Sequence, residues 1–468
     1  MNGLALAPLS AVVAGALASL LLEAFLKKRG RELPVLAAVL SLFAAGVLIV
    51  LSWGRGLASF GGRLSLDPLA LLLMAVFVLV SAFVLLMSLE YGPRRGINLG
   101  QLCGLLLLAA AGLMIMVSST DWLVVFLGLE VLSVASYALA GLRRNDRASS
   151  EAAAKYFLLG SFAGAFFVFG LALLYGTTGR LDFGAGLAAG AGPAVGLGLI
   201  LTALFFKIAI APFHMWAPDV YDGAPTPVTV FLTIAPKAAG LAVLIRVLSP
   251  LIAGGGAASV FGPAVSVAAV LTMFAGNLAA LRQTRVKRLL AYSAIAHSGY
   301  LLVAVVAGDA PGLVFYLVAY LFMNAGAFGV LMAMSGKSVG AISIADLAGL
   351  GRRHPWLAAS LALFLLSLAG VPPTAGFLAK FYIFSAAVAK GHVLLAVAAV
   401  MASLVSVAYY LKVVMAMYMQ EGGSEPSFGR NDPALYLVLF LCLFGVLELG
   451  LWPGNLLTLI RQGLTGLF

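Results

Sequence analysis

Apolar stretches of about 20 residues follow one another along this chain, separated by short polar interruptions. A helix rises about 1.5 Å per residue and the hydrocarbon core of a bilayer is about 30 Å thick, so each stretch is long enough to cross it. The pattern predicts fourteen spans, over 4–26, 34–53, 66–89, 99–118, 121–142, 150–175, 192–217, 225–249, 259–281, 286–308, 311–335, 356–386, 393–419 and 434–458. The roughly 10-residue alternation of a transmembrane barrel is missing, and a helix satisfies its own backbone without water.

Two spans are interrupted. Span seven carries Lys207, then Pro212, His214 and Trp216, and span twelve carries Gly370, Pro372, Pro373 and Gly376, then Lys380. Proline removes a backbone hydrogen bond and clashes with the preceding turn, and inside a membrane the freed groups need protein or cavity water. Two breaks beside lysines, five spans apart, are the mark of an inverted repeat, because an odd separation gives the copies opposite orientations. The predicted fold is therefore an all-α polytopic membrane protein with two inverted five-helix repeats, each holding a broken helix. Residues 1–95 supply flanking helices 1–3, 96–250 the first repeat (spans 4–8), 251–420 the second (spans 9–13), and 421–468 span 14.

Composition agrees with the membrane class: 63% of residues are hydrophobic, 10% are charged and the mean hydropathy is +1.10. The net charge of +11 would suit a nucleic-acid binder, but the basic residues alternate between loops. Seventeen lie in one set of loops: Lys27, Lys28, Arg29, Arg31, Arg94, Arg95, Arg143, Arg144, Arg147, Arg282, Arg285, Lys287, Arg288, Lys337, Arg352, Arg353 and Arg430. Only Arg55, Arg63, Arg180, Arg246, Lys390 and Arg461 lie in the other. That asymmetry places the first set in the cytoplasm and both termini on the outer side. It calls for a lipid bilayer and no nucleic acid as partner. The first span has no basic residues before it and is expected to be retained. Cys103 and Cys442 fall inside spans without a CxxC and are expected in the core. No phosphate-binding glycine loop follows a strand, so the chain itself is expected to bind no nucleotide, redox cofactor or metal.

The chemistry lies in charges placed where lipid should be. Glu130, Lys155, Lys207, Lys237 and Lys380 interrupt otherwise apolar runs. A charge at the bilayer centre costs at least about 2.5 kcal/mol and marks an ion or proton path. Counting from the span ends at about 1.5 Å per residue, Glu130, Lys207, Lys237 and His297 come near one central plane, with Lys155 nearer the cytoplasmic end. Glu130 and Lys207 are expected to pair. At an effective dielectric of about 20, unit charges 4 Å apart interact by about 4 kcal/mol, enough for the carboxylate to control the lysine's proton, with Lys155 as the competing cation for Glu130. Lys237 and Lys380 have no acid in their own spans and read as proton carriers. His297 is a candidate relay between them, sharing a helix face with Ser293 and Tyr300. His214 is either an entry residue or a stabiliser of the break. Glu23, Glu90 and Lys412 lie toward span ends and are expected to snorkel. Glu448 has no evident partner.

FFKIAIAPFHMWAPDVYDGAPTPVTVFLTIAPKAAG, LGLEVLSVASYALAGL, RVKRLLAYSAIAHSGY and LAGVPPTAGFLAKFYIF resemble the span 7–8, 5, 10 and 12 motifs of the antiporter-like membrane subunits of respiratory complex I. The resemblance covers about residues 60–420. It implies that Glu130, Lys155, Lys207, Lys237, His297 and Lys380 occupy the family's proton-translocating positions. Lys380 stands where subunit M has glutamate, and the chain's end soon after span 14 sets an expectation against subunit L. The family role implies a bacterial cytoplasmic membrane and neighbours such as subunits M and K. It implies NADH, FMN, iron–sulfur clusters and quinone held by partner subunits, with electron transfer there driving proton pumping here. A Mrp-type cation/proton antiporter or an energy-converting hydrogenase is the alternative setting, and the PDVYDGAP string separates them.

Cysteine-accessibility labelling at positions 144 and 180 is expected to report opposite sides of the membrane. Labelling from the same side would refute the fourteen-span topology.

Overall fold

Each apolar stretch becomes a helix. The computed structural model describes residues 3–26, 32–188, 190–254, 261–334, 342–422 and 432–464. Lys27, Lys28, Arg29, Arg31, Lys337 and Arg430, which carry part of the basic asymmetry, lie outside the described residues. The helices run α1 (Ala7–Leu26), α2 (Leu33–Ser52), α3 (Pro68–Arg94), α4 (Leu99–Ser118), α5 (Trp122–Ala140), α6 (Arg147–Thr178), α7 (Ala191–Lys207), α8 (Ala217–Gly223) and α9 (Thr226–Gly254). They continue as α10 (Phe261–Leu281), α11 (Val286–Ala307), α12 (Ala310–Met334), α13 (Leu350–Arg353), α14 (Pro355–Ala369), α15 (Ala375–Ala389), α16 (Val393–Met419), α17 (Pro433–Leu451) and α18 (Gly454–Leu464). Among the described residues, twelve helices are long and apolar enough to span a bilayer. The two remaining predicted spans are the broken ones, built from α7 with α8 and from α14 with α15.

Polar loop residues start these helices. The side chains of Asp67, Asn98, Asp121, Asp146 and Asp432 accept from backbone N–H groups in the first turns of α3, α4, α5, α6 and α17, satisfying donors that a helix start leaves free. Asp67 does a second job. Arg246 of α9 grips it with both terminal nitrogens, at 2.6 and 2.8 Å, and donates to the Val117 carbonyl at 3.0 Å. One guanidinium thereby fastens the ends of α3, α4 and α9.

Burial is graded across the molecule. The apolar segment of α9 is wholly buried and those of α11 and α12 nearly so, whereas α1, α2, α10 and α16 keep about two thirds of theirs outward. A helix apolar on all sides belongs in the interior, and these three form the centre. Small residues let the outer helices close on one another. A side chain at Gly112 of α4 would meet the Gly128 carbonyl and the Leu132 N–H of α5, each 2.6 Å away. Such backbone approach is how membrane helices gain packing without a hydrophobic driving force.

Two local expectations change. The last span ends at Leu451, and α18 follows as a separate amphipathic helix against α12 and α3, so 434–458 is not one helix; Pro453 forces the stop. Between α2 and α3 the chain forms a two-stranded antiparallel hairpin, β1 (Leu57–Ser59) with β2 (Leu64–Leu66), where only a loop was expected. Cys103 and Cys442 are both buried, as expected of core residues.

Gly112→Leu is expected to prevent accumulation of the assembled protein, because the added side chain meets backbone that cannot rotate away; overpacking of this kind costs about 1–3 kcal/mol or more. Quantitative blotting of membranes checks it, and wild-type levels would contradict the close α4–α5 contact.

Candidate functional site

The first break follows Lys207, the last residue of α7. Ala209 takes φ +58°, the Ala211–Pro212 bond is cis, and the chain re-enters a helix only at Ala217. The freed backbone groups find other partners. The Ala211 N–H donates to Thr272 Oγ1 of α10 at 2.9 Å, and the Phe206 carbonyl accepts from Trp216 Nε1 at 2.9 Å. The break therefore leaves Lys207 buried and pointing inward. Its ammonium donates to Ser133 Oγ at 2.9 Å and lies over the rings of Tyr156 and Tyr137, 5.2 and 5.7 Å from their centroids. Tyr156 stacks on Trp216 at 4.4 Å, tying the lysine's surroundings to the break.

The second break is repaired differently. α14 ends at Gly370, whose φ of +92° suits glycine alone, and the Pro372–Pro373 bond is cis. The buried Lys380 of α15 reaches back and donates to the carbonyls of Leu368 and Ala369, each at 2.9 Å, and to Ser403 Oγ of α16 at 2.9 Å. A cation on the last carbonyls of a helix also meets the negative end of its dipole. Lys380 further lies 4.9 Å from the Tyr300 ring centroid.

Between the breaks runs a buried row. Lys237 is fully buried on α9; it donates to the Ala294 carbonyl of α11 and lies 5.8 Å from the Tyr320 ring centroid. Tyr320 and Tyr300 are the next aromatic neighbours of His297, with ring centroids 5.0 and 5.6 Å away. His297 Nδ1 shares a 2.8 Å hydrogen bond with the Tyr316 hydroxyl, and Nε2 lies 3.4 Å from that of Tyr410. Ser293 bonds the Tyr410 hydroxyl, so it reaches His297 through a tyrosine, not directly. Tyr300 accepts from Asn277 at 2.9 Å, and Asn277 accepts in turn from Tyr409 at 3.0 Å. His297 lies within electrostatic reach of both Lys237 and Lys380. Lys237, Tyr320, His297, Tyr300 and Lys380 thus form a contiguous series of buried polar and aromatic groups.

Sequence reasoning named Tyr300 beside His297 but missed the other tyrosines. Tyr316 and Tyr320 stand four residues apart on α12, and Tyr409 and Tyr410 are adjacent on α16. The available signal was their depth, since tyrosine in spans usually marks the interface.

The acidic side needs correction. Glu130 is half-buried on α5, with its carboxylate against Gly164 of α6. It lies within electrostatic reach of Lys207 but forms no ion pair with it inside 4.0 Å; Ser133, one turn on, takes the ammonium instead. Lys155 is not the second cation of Glu130. It pairs with Asp219 of α8 at 2.7 Å and with Glu151 at 2.8 Å, toward the membrane's edge. Asp219 and Asp222 lie on the short helix α8. Asp219 also accepts from Arg288 of α11 at 2.9 Å, and Asp222 pairs with Arg285 at 2.8 Å. Lys287 and Arg143 donate to the carbonyls of Ala224 and Gly223 just beyond. Lys155 and Arg288 thus share the Asp219 carboxylate, one on each of its oxygens. α8 is therefore clasped between α6 and α11. His214 is half-buried within the first break. Lys412 is exposed near the end of α16, Glu448 is half-buried on α17, and Glu23 accepts from Asn98 rather than standing free. Among the described residues no group of three His, Cys, Asp or Glu is placed to hold a metal.

Residues 119–406 match the family described as NADH:quinone oxidoreductase/Mrp antiporter, TM. An NADH-quinone oxidoreductase subunit N from Trichlorobacter lovleyi is 40% identical over 457 residues, 95% of this chain and 93% of that one. A chain in the structure of respiratory complex I from Thermus thermophilus with bound aureothin superposes with a TM-score of 0.83 at 36% identity, covering 96% of this chain and 98% of its own. A chain of the Mrp complex from Dietzia sp. DQ12-45-1b reaches a TM-score of 0.85 at 22% identity, covering 99% and 97%; at that identity the likeness is one of fold.

The clasp yields a local expectation. Asp219→Asn removes the shared acceptor and is expected to speed amide hydrogen exchange across 217–223 while the other helices keep their protection. Unchanged exchange there would mean that the carbonyl contacts from Lys287 and Arg143 hold α8 by themselves.

Proposed function

As this chain belongs to the NADH:quinone oxidoreductase/Mrp antiporter family, we propose that it is the subunit N-type membrane subunit of a bacterial NADH-quinone oxidoreductase, moving protons while partner subunits pass electrons from NADH to quinone. Identity of 40% over nearly the whole of a subunit N supports this setting over an antiporter, to which the likeness is one of fold. The observation that carries the proton-moving role is the buried series from Lys237 through His297 to Lys380.

The chemistry follows from charge placed without counter-charge. Lys237 meets one carbonyl and one ring face, and Lys380 meets two carbonyls and a hydroxyl; among the described residues neither has a carboxylate within 4.0 Å. Two cations close together in a medium of low dielectric repel strongly, so a proton on Lys237 raises the cost of one on His297, and one on Lys380 does the same from the other side. The three sites titrate as a coupled set, and adding a proton at one end favours release at the other. Tyr316 and Tyr410 give His297 a hydroxyl on each ring nitrogen, the geometry of a relay. Among the described residues, the buried hydroxyls of Tyr156 and Tyr320 have no hydrogen-bond partner.

Lys207 is the proposed carrier of the first half-channel, with the Glu130 charge biasing it from beyond contact distance and Lys155 near the entrance, held by Asp219. In this reading spans 4–8 and 9–13 act as inverted repeats, within 96–250 and 251–420, beside flanking helices in 1–95 and a final span in 421–468. Both termini face the periplasm, subunits M and K are the membrane neighbours, and FMN, iron–sulfur clusters and quinone belong to partners.

Lys237→Arg separates carrier from scaffold. Guanidinium keeps the charge and does not release its proton at physiological pH, so an assembled Lys237→Arg complex is expected to lose most of its proton pumping in vesicles. Normal pumping by Lys237→Arg, together with failure of Lys237→Ala to assemble on native gels, would make the lysine structural and the relay wrong.

A further inference from the structure

One amide joins the tyrosines of the second half. Asn277 of α10 is fully buried. It donates to the Tyr300 hydroxyl of α11 and to the Ala402 carbonyl of α16, each at 2.9 Å, and accepts from the Tyr409 hydroxyl at 3.0 Å. These partners fix its orientation. A carbonyl only accepts, so Nδ2 faces Ala402 and Oδ1 is left for Tyr409. Both donors and the carbonyl oxygen are then engaged, and Asn277 ties α10 to α11 and α16.

Hydroxyls lead away from Asn277 on both sides. On one side Tyr409 lies against Tyr410, with ring centroids 4.4 Å apart, and its hydroxyl interacts with those of Tyr410 and Ser293. Ser293 bonds the Tyr410 hydroxyl, which lies 3.4 Å from His297 Nε2. On the other side the Tyr300 hydroxyl faces Ser403 and Ser406 of α16. Ser403 Oγ in turn accepts from Lys380 at 2.9 Å. Among the described residues His297 hydrogen-bonds Tyr316 and Tyr410 alone. The polar way from it toward Lys380 therefore leads through Tyr410, Tyr409, Asn277, Tyr300 and Ser403. Every member but Asn277 is a hydroxyl.

That exception matters for proton transfer. A hydroxyl accepts a proton on a lone pair as it releases its own. A primary amide donates from nitrogen and accepts at oxygen; to pass a proton on, it would have to break an N–H bond and leave a high-energy imidic acid. We infer that Asn277 is a proton block, a positioning residue that holds the tyrosines on either side of it in place and keeps a proton from passing between them. His297 and Lys380 then communicate by charge and not along the tyrosine chain. This rests on the proton-moving role proposed above for those two residues. Repulsion between protons on the two sites drives release outward only while a proton does not slide from one site to the other. An unbroken chain of hydroxyls would allow that slide and would dissipate the repulsion inside the protein.

Asn277→Asp tests the block, because it keeps the size of the side chain and replaces the amide by a carboxyl. A carboxyl takes a proton on one oxygen as it gives one from the other, forming one O–H bond and breaking another, with no change of oxidation state. The assembled complex is reconstituted in vesicles, and protons pumped and NADH oxidised are measured together, with assembly checked on native gels. Asn277→Asp is expected to lower the protons pumped per NADH while NADH oxidation is unchanged. Adding Tyr409→Phe removes the hydroxyl on the His297 side and cuts the chain again, so the double variant is expected to regain the wild-type ratio. A packing defect would be deepened by the loss of a second hydrogen bond, not repaired. Tyr409→Phe alone is expected to keep the wild-type ratio, since no proton passes that hydroxyl. An unchanged ratio in Asn277→Asp would overturn the block, as would a double variant no better than Asn277→Asp. A lowered ratio in assembled Tyr409→Phe would do the same, and it keeps the inference falsifiable even if the aspartate variants do not assemble. The underlying relay fails separately: normal pumping by Lys237→Arg removes it, whereas loss of pumping there beside an unchanged ratio in Asn277→Asp removes the block alone.

Discussion

A backbone carbonyl inside a lipid bilayer has no water to turn to, and the arrangement of this protein depends on how that constraint is met at two broken helices. After Lys207 the chain leaves the helix for nine residues, and a threonine and a tryptophan take up the groups released. After Ala369 it leaves for five, and Lys380 with Ser403 take them up. An unsatisfied group would cost several kcal/mol at each point. The side chains that meet this need are therefore fixed in position, and the lysines stand where they do partly because the backbone requires neighbours there. On the proposed function, structure and proton chemistry share the same atoms.

That sharing explains why the centre is so densely aromatic. A buried ammonium needs stabilisation, but a carboxylate within contact would fix its proton. Ring faces and hydroxyls offer something in between: attraction for the cation without a full counter-charge. Lys207, Lys237 and Lys380 all lie over tyrosine rings, and His297 is bounded by them. Glu130 stays out of ion-pair contact with Lys207, and Lys155 finds its acids in Glu151 and Asp219.

Much of this was legible in the sequence because the bilayer is a severe selector. Fourteen apolar stretches of spanning length leave few alternatives, and Pro212 and Pro372–Pro373 announce the breaks. The buried positions of Lys207, Lys237, His297 and Lys380 were readable from charge in apolar context alone. What escaped was pairing. Glu130 and Lys207 share a predicted depth, but depth does not say that Ser133 takes the Lys207 ammonium. Lys155 has Glu151 one turn before it, but its other partner Asp219 comes from a seven-residue helix that no periodicity reveals. Tyr316, Tyr320 and Tyr410 look like ordinary span residues until three-dimensional packing turns them toward one histidine.

The two halves, similar in plan, are not interchangeable in chemistry. Lys380 places its three donors on two carbonyls and a hydroxyl, so its ammonium is saturated and losing a proton means giving up a fixed contact. Lys207 has one hydroxyl and two ring faces, so two of its donors are not held by fixed acceptors. Lys207 precedes its break and ends a helix, whereas Lys380 follows its break and caps the helix before it. Moving a proton away from Lys380 therefore also loosens the joint between α14 and α15, whereas moving one away from Lys207 leaves the Trp216 and Thr272 contacts of its joint in place. On the proposed proton-moving reading, protonation bears directly on the joint at the second break, where Lys380 itself holds the carbonyls, and at the first only through the Tyr156–Trp216 stack.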